Sequence, residues 1–268
     1  MGGARGNLFS KRLPRSFENM RLNQFIAETG ICSRREADRL IESGAVTVNG
    51  APAVLGMQAG DSDTVTVNGQ AVGRLEKRVC ILLNKPVGIV STTDTRVQNN
   101  IIDFVGYPTR LFTVGRLDKF SEGAILLTND GNYVNRLLRS EFGHEKVYRV
   151  QIDAPVTADF ITAMSNGVRI FNPVLDKNVT TKRCDVQKTG AREFEITLTQ
   201  GFNRQIRRMC QTLGHKVTKL KRIRFLFLKL DGLKPGEWRE LTLREMGELD
   251  RLAGINRPGM LNELENEE

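Results

Sequence analysis

Two short stretches, VTVNG at 46–50 and DTVTVNG at 63–69, constrain the fold more than any other feature of the chain. In each, valine and threonine alternate as in a half-buried strand and then close on Asn-Gly, the pair that most readily takes the positive φ angles of a tight hairpin turn. Ahead of them lies a helical pattern. Leu22, Phe25 and Ile26 recur at helical spacing, and Gly30 is a natural stop. Ser33-Arg-Arg-Glu36 then has the pattern of a capping box, Ala37, Leu40 and Ile41 continue an apolar stripe, and Gly44 ends the second helix. Residues 21–69 therefore read as helix–turn–helix followed by a small sheet. Arg35 and Arg39, four apart, share a helix face and with Arg34 and Arg21 concentrate positive charge there. That charge is either a solvated face or a patch for phosphates at a helix start. With no aromatic platform beside it, it suits backbone and shape rather than bases.

From Val79 onward the pattern changes to longer strands interleaved with helices. VCILLNKPVGIVSTT, LFTVGRLD, GAILLTND, KVYRVQID, REFEITLTQ and KRIRFLFLKL read as strands, and residues 130–140, 157–167 and 203–213 as helices. Mixed connection lengths point to an α+β fold on a long mixed, mainly antiparallel sheet. The expected organisation is a flexible basic arm (1–19), a small helix-and-hairpin domain (20–67), a linker (68–78), a large α+β domain (79–250) and an acidic tail (251–268).

Charge narrows the function classes. Lys and Arg number 40 against 31 Asp and Glu, for a formal charge of +9, which favours a polyanionic partner. No apolar run approaches the length of a membrane span, so nucleic acid is the expected partner rather than a membrane. Cys32, Cys80, Cys184 and Cys210 form no CxxC pair, and with only His144 and His215 beside them a zinc cage is not expected. Scattered cysteines of this kind read as buried thiols in a cytoplasmic, metal-free protein. The N-terminal arm lacks the apolar core of a secretory signal.

Four segments could carry chemistry. GRLDKFSEG, 115–123, sets Asp118 between Arg116 and Lys119, either as an ordinary turn residue or as a carboxylate kept ionised among cations. In GFNRQIRRMCQTLGHK, 201–216, Asn203 is placed to cap a helix running to Gly214. Ile206, Met209, Cys210 and Leu213 form its apolar stripe. Arg204 and Arg208 point away from that stripe, while Arg207 lies at its border, where it can be surface charge or reach into a cleft. VTKLKRIRFLFLKL, 217–230, alternates so that Leu220, Arg222 and Arg224 share a face with Leu226, Leu228 and Leu230, a face half in the core and half in an anionic cleft or at a sheet edge. In HEKVYRV, 144–150, Lys146 and Tyr148 share a strand face, and Tyr148 is either half-buried packing or a stacking surface for a base. Neither Glu122 nor Asp130 offers a convincing second catalytic acid, which argues against a glycosidase-like pair.

Together with GICSRREADRLIESGAVTVNG, NKPVGIVSTT and GEWRELT, these motifs resemble the RsuA-type ribosomal RNA pseudouridine synthases, nearest their RluF branch, from about Arg21 to Leu249. Ala124-Ile125 stands where a leucine pair is more usual. The resemblance implies a small RNA-binding domain that sets Arg34, Arg35 and Arg39 on RNA phosphates, with Arg21 and Ser33 in the same patch, followed by a pseudouridine synthase fold. It implies that Asp118 is the essential aspartate and that Arg207 pairs with it. Tyr148 then stacks on the target uracil, Leu220 packs across the base pocket, and Arg116 fills the space left by the flipped nucleotide. Lys85 and Pro86 support the wall of the site. Lys119, Arg204, Arg208 and Arg222 are the further expected RNA contacts. The implied reaction isomerises a uridine without cofactor or metal, in ribosomal RNA of the large subunit first and transfer RNA second, by a monomer. The alternative is a catalytically silent RNA-binding or ribosome-assembly protein of the same fold.

Overall fold

The computed structural model describes residues 19–60, 62–73, 78–138 and 143–255. The expected basic arm (but for Asn19) and residues 256–268 of the expected tail lie outside them. The chain forms two compact units, one within 1–76 and one within 77–268.

The first unit contains β1 (Met20–Arg21), α1 (Leu22–Glu28), α2 (Arg34–Glu42), β2 (Val46–Val48), β3 (Ala51–Pro52), β4 (Gln58–Ala59), β5 (Val65–Val67) and β6 (Gln70–Ala71). Its sheet runs β3-β2-β5-β6, all antiparallel, and β1 pairs with β4. The two Asn-Gly pairs do what their chemistry predicts: Asn49 and Gly50 have φ of 52° and 79°, Asn68 and Gly69 of 51° and 77°. Ser33 caps α2, its hydroxyl accepting from the Glu36 amide at 3.1 Å. The apolar stripes of both helices, Leu22, Phe25, Ile26, Ala37 and Ile41, bury against Val46, Val48, Val65 and Val67. Gln70, Ala71 and the buried Val72 belong to this unit, so the stretch expected to be a linker from residue 68 is sheet at its start, because Val67 and Gln70 pair across the second turn.

The second unit contains β7 (Cys80–Lys85), α3 (Ile101–Val105), β8 (Phe112–Val114), β9 (Glu122–Thr128), α4 (Gly131–Leu138), β10 (Lys146–Ile152), α5 (Ala158–Ser165), β11 (Arg169–Asn172), β12 (Lys177–Thr180), β13 (Asp185–Gly190), β14 (Glu193–Leu198), α6 (Gln205–Thr212), β15 (Val217–Phe225), β16 (Leu228–Lys229), β17 (Trp238–Glu240) and α7 (Leu243–Leu252). Nine strands form one mixed sheet, ordered β13-β14-β10-β15-β9-β7-β17, with β16 on β15 and β8 on β9. Among the described residues its one parallel strand pair is β9–β15. There the chains approach so closely that only glycine fits: a Cβ on Gly123, at φ 112°, would lie 2.1 Å from the Arg222 carbonyl oxygen. All six residues of β7 are buried, the signature of a strand covered on both faces.

Three local expectations are corrected. First, the segment 217–230 is not one strand. β15 stops at Phe225, Leu226 turns at φ 57°, and β16 folds back on it. Second, a bulge sets Val147 opposite Arg224 but Tyr148 opposite Arg222. The extra residue, Ile223, therefore puts Arg224 on the other face from Leu220 and Arg222, where it bonds Glu145 at 2.8 Å. Third, Asn203 does not cap α6. Arg204 takes the N-cap position at φ 51°, and the Asn203 side chain accepts from Arg208 instead. At the other end the fold continues past the expected boundary at 250: α7 runs to Leu252, and Ala253 and Ile255 are buried in the core.

Candidate active site

Asp118 lies in the connection from β8 to β9, where the chain must reverse before the close parallel pairing at Gly123. The Ser121 amide donates to the Asp118 carbonyl at 3.0 Å and closes a turn over 118–121. Each neighbouring peptide is held from elsewhere. The Ser91 hydroxyl donates to the Leu117 carbonyl at 2.8 Å and accepts from its amide at 3.2 Å. The Gly88 amide donates to the Lys119 carbonyl at 2.8 Å. From α6, Arg207 Nη2 donates to the Phe120 carbonyl at 2.8 Å and to Ser121 Oγ at 3.4 Å, while its Nη1 reaches the Val217 carbonyl at 3.3 Å. The half-buried Asp118 carboxylate has no hydrogen-bond or ion-pair partner among the described residues.

Arg207 thus departs from its expected role. It forms no ion pair with Asp118, because its guanidinium is engaged by the backbone of the turn that carries the aspartate. The two charges still interact. Desolvation pushes the pKa of Arg207 down, as does Arg204, and the Asp118 charge pulls it up. Its border position on α6 is as expected from the helical spacing, with Ile206, Met209 and Cys210 buried beside it.

Beneath the turn is a second cation. Lys85 is fully buried at the end of β7, its Nζ donating to the Pro86 and Ile89 carbonyls at 2.9 and 2.8 Å. Burial pushes its pKa down to about 8, against the pull of Asp118 and Glu122 and with a further push from Arg222. Lys146, bonded to the His144 carbonyl at 2.9 Å, is likewise pushed down to about 8 by burial and by Arg222.

Tyr148 and Leu220 share a sheet face with Arg222, since Tyr148 pairs with Arg222 and Val150 with Leu220. The half-buried Tyr148 ring packs against both the core cluster that holds Leu220 and the cluster that holds Leu117, next to Asp118. Arg116, Lys119 and Phe120 are exposed around the aspartate, Phe120 at 64%.

The expected RNA contacts divide. Arg21, Arg34, Arg35, Arg39 and Arg204 are exposed, and Arg39 bonds the exposed Glu36 at 3.1 Å. The Ser33 hydroxyl is engaged as a cap. Arg208 is tied to the Asn203 and Phe171 carbonyls at 3.1 and 3.3 Å and braces α6 against the β11–β12 hairpin. Arg222 is corrected outright. It is 2% exposed, donates from Nε to the Ala124 carbonyl at 2.6 Å and lies 4.7 Å over the Phe225 ring, so it is internal framework rather than an RNA-facing cation.

Ser91 and Gly88 were not singled out by sequence reasoning. Their one sequence signal is that NKPVGIVSTT breaks an apolar strand with Lys-Pro and Gly while keeping a hydroxyl. The thiols are poor nucleophiles here, since burial pushes Cys80 to about 11 and Cys210 to about 12. Among the described residues no three His, Cys, Asp or Glu side chains converge to hold a metal ion, and no helix is long and apolar enough to cross a membrane.

Comparison with known proteins matches this architecture. Residues 79–212 match the family model described as RNA pseudouridylate synthase, and residues 20–65 match the S4 domain. The chain is 50% identical over 236 residues to the dual-specificity RNA pseudouridine synthase RluF of Escherichia coli K12, an alignment that covers 87% of this chain and 79% of that one. It is 36% identical over 240 residues to the ribosomal large subunit pseudouridine synthase B of Bacillus subtilis 168, covering 87% and 96%. Among solved structures, a crystal structure of a pseudouridylate synthase superimposes with a TM-score of 0.62 at 29% identity, over 86% of this chain and 99% of that one.

Proposed function

This chain belongs to the RNA pseudouridylate synthase family, and from that premise we propose that Asp118 carries its reaction. The enzyme isomerises a uridine to pseudouridine in RNA. The bond from ribose to the uracil nitrogen breaks, the ring turns while held, and carbon 5 is joined to the ribose. The observation that carries the assignment is the turn 118–121: its backbone is bonded at every peptide, while the carboxylate it presents has no partner among the described residues. A reacting group needs that combination, a fixed origin and free lone pairs.

Whether the aspartate attacks the sugar carbon or takes a ribose proton, it acts as the ionised carboxylate. Tyr148 is the stacking surface for the target base and Leu220 the apolar wall across from it. Arg116, exposed and without a partner among the described residues, occupies the gap left when the nucleotide leaves its stack. Arg21, Arg34, Arg35 and Arg39 hold RNA phosphates in the S4 unit, with Lys119 and Arg204 doing so beside the turn. The RNA is ribosomal, from the large subunit, a reading supported by the name of the B. subtilis relative. The dual specificity named for the E. coli relative is the reason to test transfer RNA beside it.

Asp118→Asn should abolish pseudouridine formation and leave RNA affinity within a few-fold. Tritium release from carbon-5-labelled uridine, in large-subunit ribosomal RNA and in transfer RNA, measures the first, and a filter-binding titration measures the second. Full turnover in the variant sinks the assignment.

A further inference from the structure

The connection 86–91 is irregular in backbone yet crosses from β7 to the turn that presents Asp118, and it is bonded at both ends. At its start, Lys85 Nζ binds the Pro86 and Ile89 carbonyls and holds the loop in shape. Gly88, at φ 96°, turns its amide onto the Lys119 carbonyl. Val90 is fixed by the amide of Ile101 and the carbonyl of Asn99, at 3.0 and 2.8 Å. At its end, Ser91 is 6% exposed, and its hydroxyl serves one residue twice, donating to the carbonyl of Leu117 and accepting from its amide.

Leu117 is itself buried at 6% and belongs to no strand, since β8 ends at Val114 and β9 begins at Glu122. Its amide and carbonyl therefore have no ladder to join, and a buried peptide left unpaired is costly. A single hydroxyl placed to serve both groups satisfies them and also fixes the peptide plane directly before Asp118. Gly88 does the same for the carbonyl directly after it. The loop thus holds the backbone on both sides of the aspartate and leaves its side chain untouched.

We propose that Ser91 is a positioning residue for Asp118, acting through the Leu117 backbone to aim the carboxylate at the ribose. This rests on the reading of Asp118 as the reacting carboxylate. Misplacement of a reacting group by about 1 Å can cost on the order of a hundredfold in rate, so the effect belongs to kcat rather than to RNA binding. The test compares full-length wild type with Ser91→Ala, Asp118→Asn and Val105→Ala under multiple turnover. Val105 packs in the same core cluster but makes no contact with the 117–121 backbone in the hydrogen-bond pattern, so its truncation controls for lost stability.

Ser91→Ala is expected to lower kcat roughly 10- to 100-fold with KM for RNA little changed, and to speed hydrogen exchange at the Leu117 amide. Val105→Ala is expected to keep kcat at a comparable loss of melting temperature. Wild-type kcat in Ser91→Ala, or equal kcat losses in the two variants, overturns the proposal. The two readings fail separately. An active Asp118→Asn overturns the catalytic aspartate, whereas an inactive Asp118→Asn beside a fully active Ser91→Ala overturns only the role of Ser91.

Discussion

Asp118 drew attention because two cations flank it in sequence, yet both Arg116 and Lys119 are exposed, and the charges that act on it come from Arg207 and Lys85. The local signal singled out this turn through neighbours that do not pair with the aspartate. Arg207 is 89 positions further along the chain than Asp118, so no window of sequence holds both, and helical spacing placed it only at a border. Lys85 yields a prediction of its own. In the folded protein its pKa is pushed down to about 8 from the ordinary lysine value of 10.5, equivalent to about 3 kcal/mol in favour of the neutral form. Below pH 8 the folded state must carry a buried ammonium and the full penalty applies. Between 8 and 10.5 the unfolded chain holds the extra proton, so stability rises with pH. Relative to Lys85→Met, wild type should gain about 2 kcal/mol of unfolding free energy between pH 7 and 9.5. Denaturant titrations at each pH measure this, and parallel profiles for the two proteins would rule it out.

At the level of elements, what was legible followed from short-range chemistry. Ser33 caps α2 and the two Asn-Gly hairpins formed as read, while the Glu36 half of the capping box did not, its carboxylate bonding Arg39 instead; a cap or a two-residue turn is completed by residues within a few positions of each other. Long-range pairing decided the rest. A one-residue bulge at Ile223 cannot be seen in an alternating pattern, yet it reverses the side on which Arg224 emerges. Gly123 sits in a motif that reads as a simple strand start, but its need is set by the Arg222 backbone crossing against it. Gly123→Ala should therefore separate β9 from β15 and cost about 3–5 kcal/mol. Thermal melts would show it, and a melting temperature within two or three degrees of wild type would mean the crossing can relax.

Across the whole molecule, the charge of +9 is distributed with a purpose only where cations are free. In the S4 unit Arg34 and Arg35 are exposed and have no partner among the described residues, whereas Arg39 bonds Glu36. Replacing Arg34 and Arg35 together by Ala should weaken RNA binding and reduce the slope of log affinity against log salt by about two contacts. An unchanged slope would mean that this patch is solvated only. Arg222, counted from sequence with the RNA-facing cations, is instead a buried strut beneath the sheet.

Composition, capping residues and turn chemistry were enough to predict two units, a small helical-and-hairpin module and a large mixed sheet, and to point to a nucleic-acid partner. These rest on interactions within a few residues or on sums over the chain, and neither depends on how distant parts meet. The holding of Asp118 is different in kind. Ser91 meets Leu117 across 26 positions, and Arg207 meets Phe120 across 87. Such contacts exist only once β7, β9 and β15 lie side by side, since it is the sheet that brings a loop, a turn and a helix start to one place.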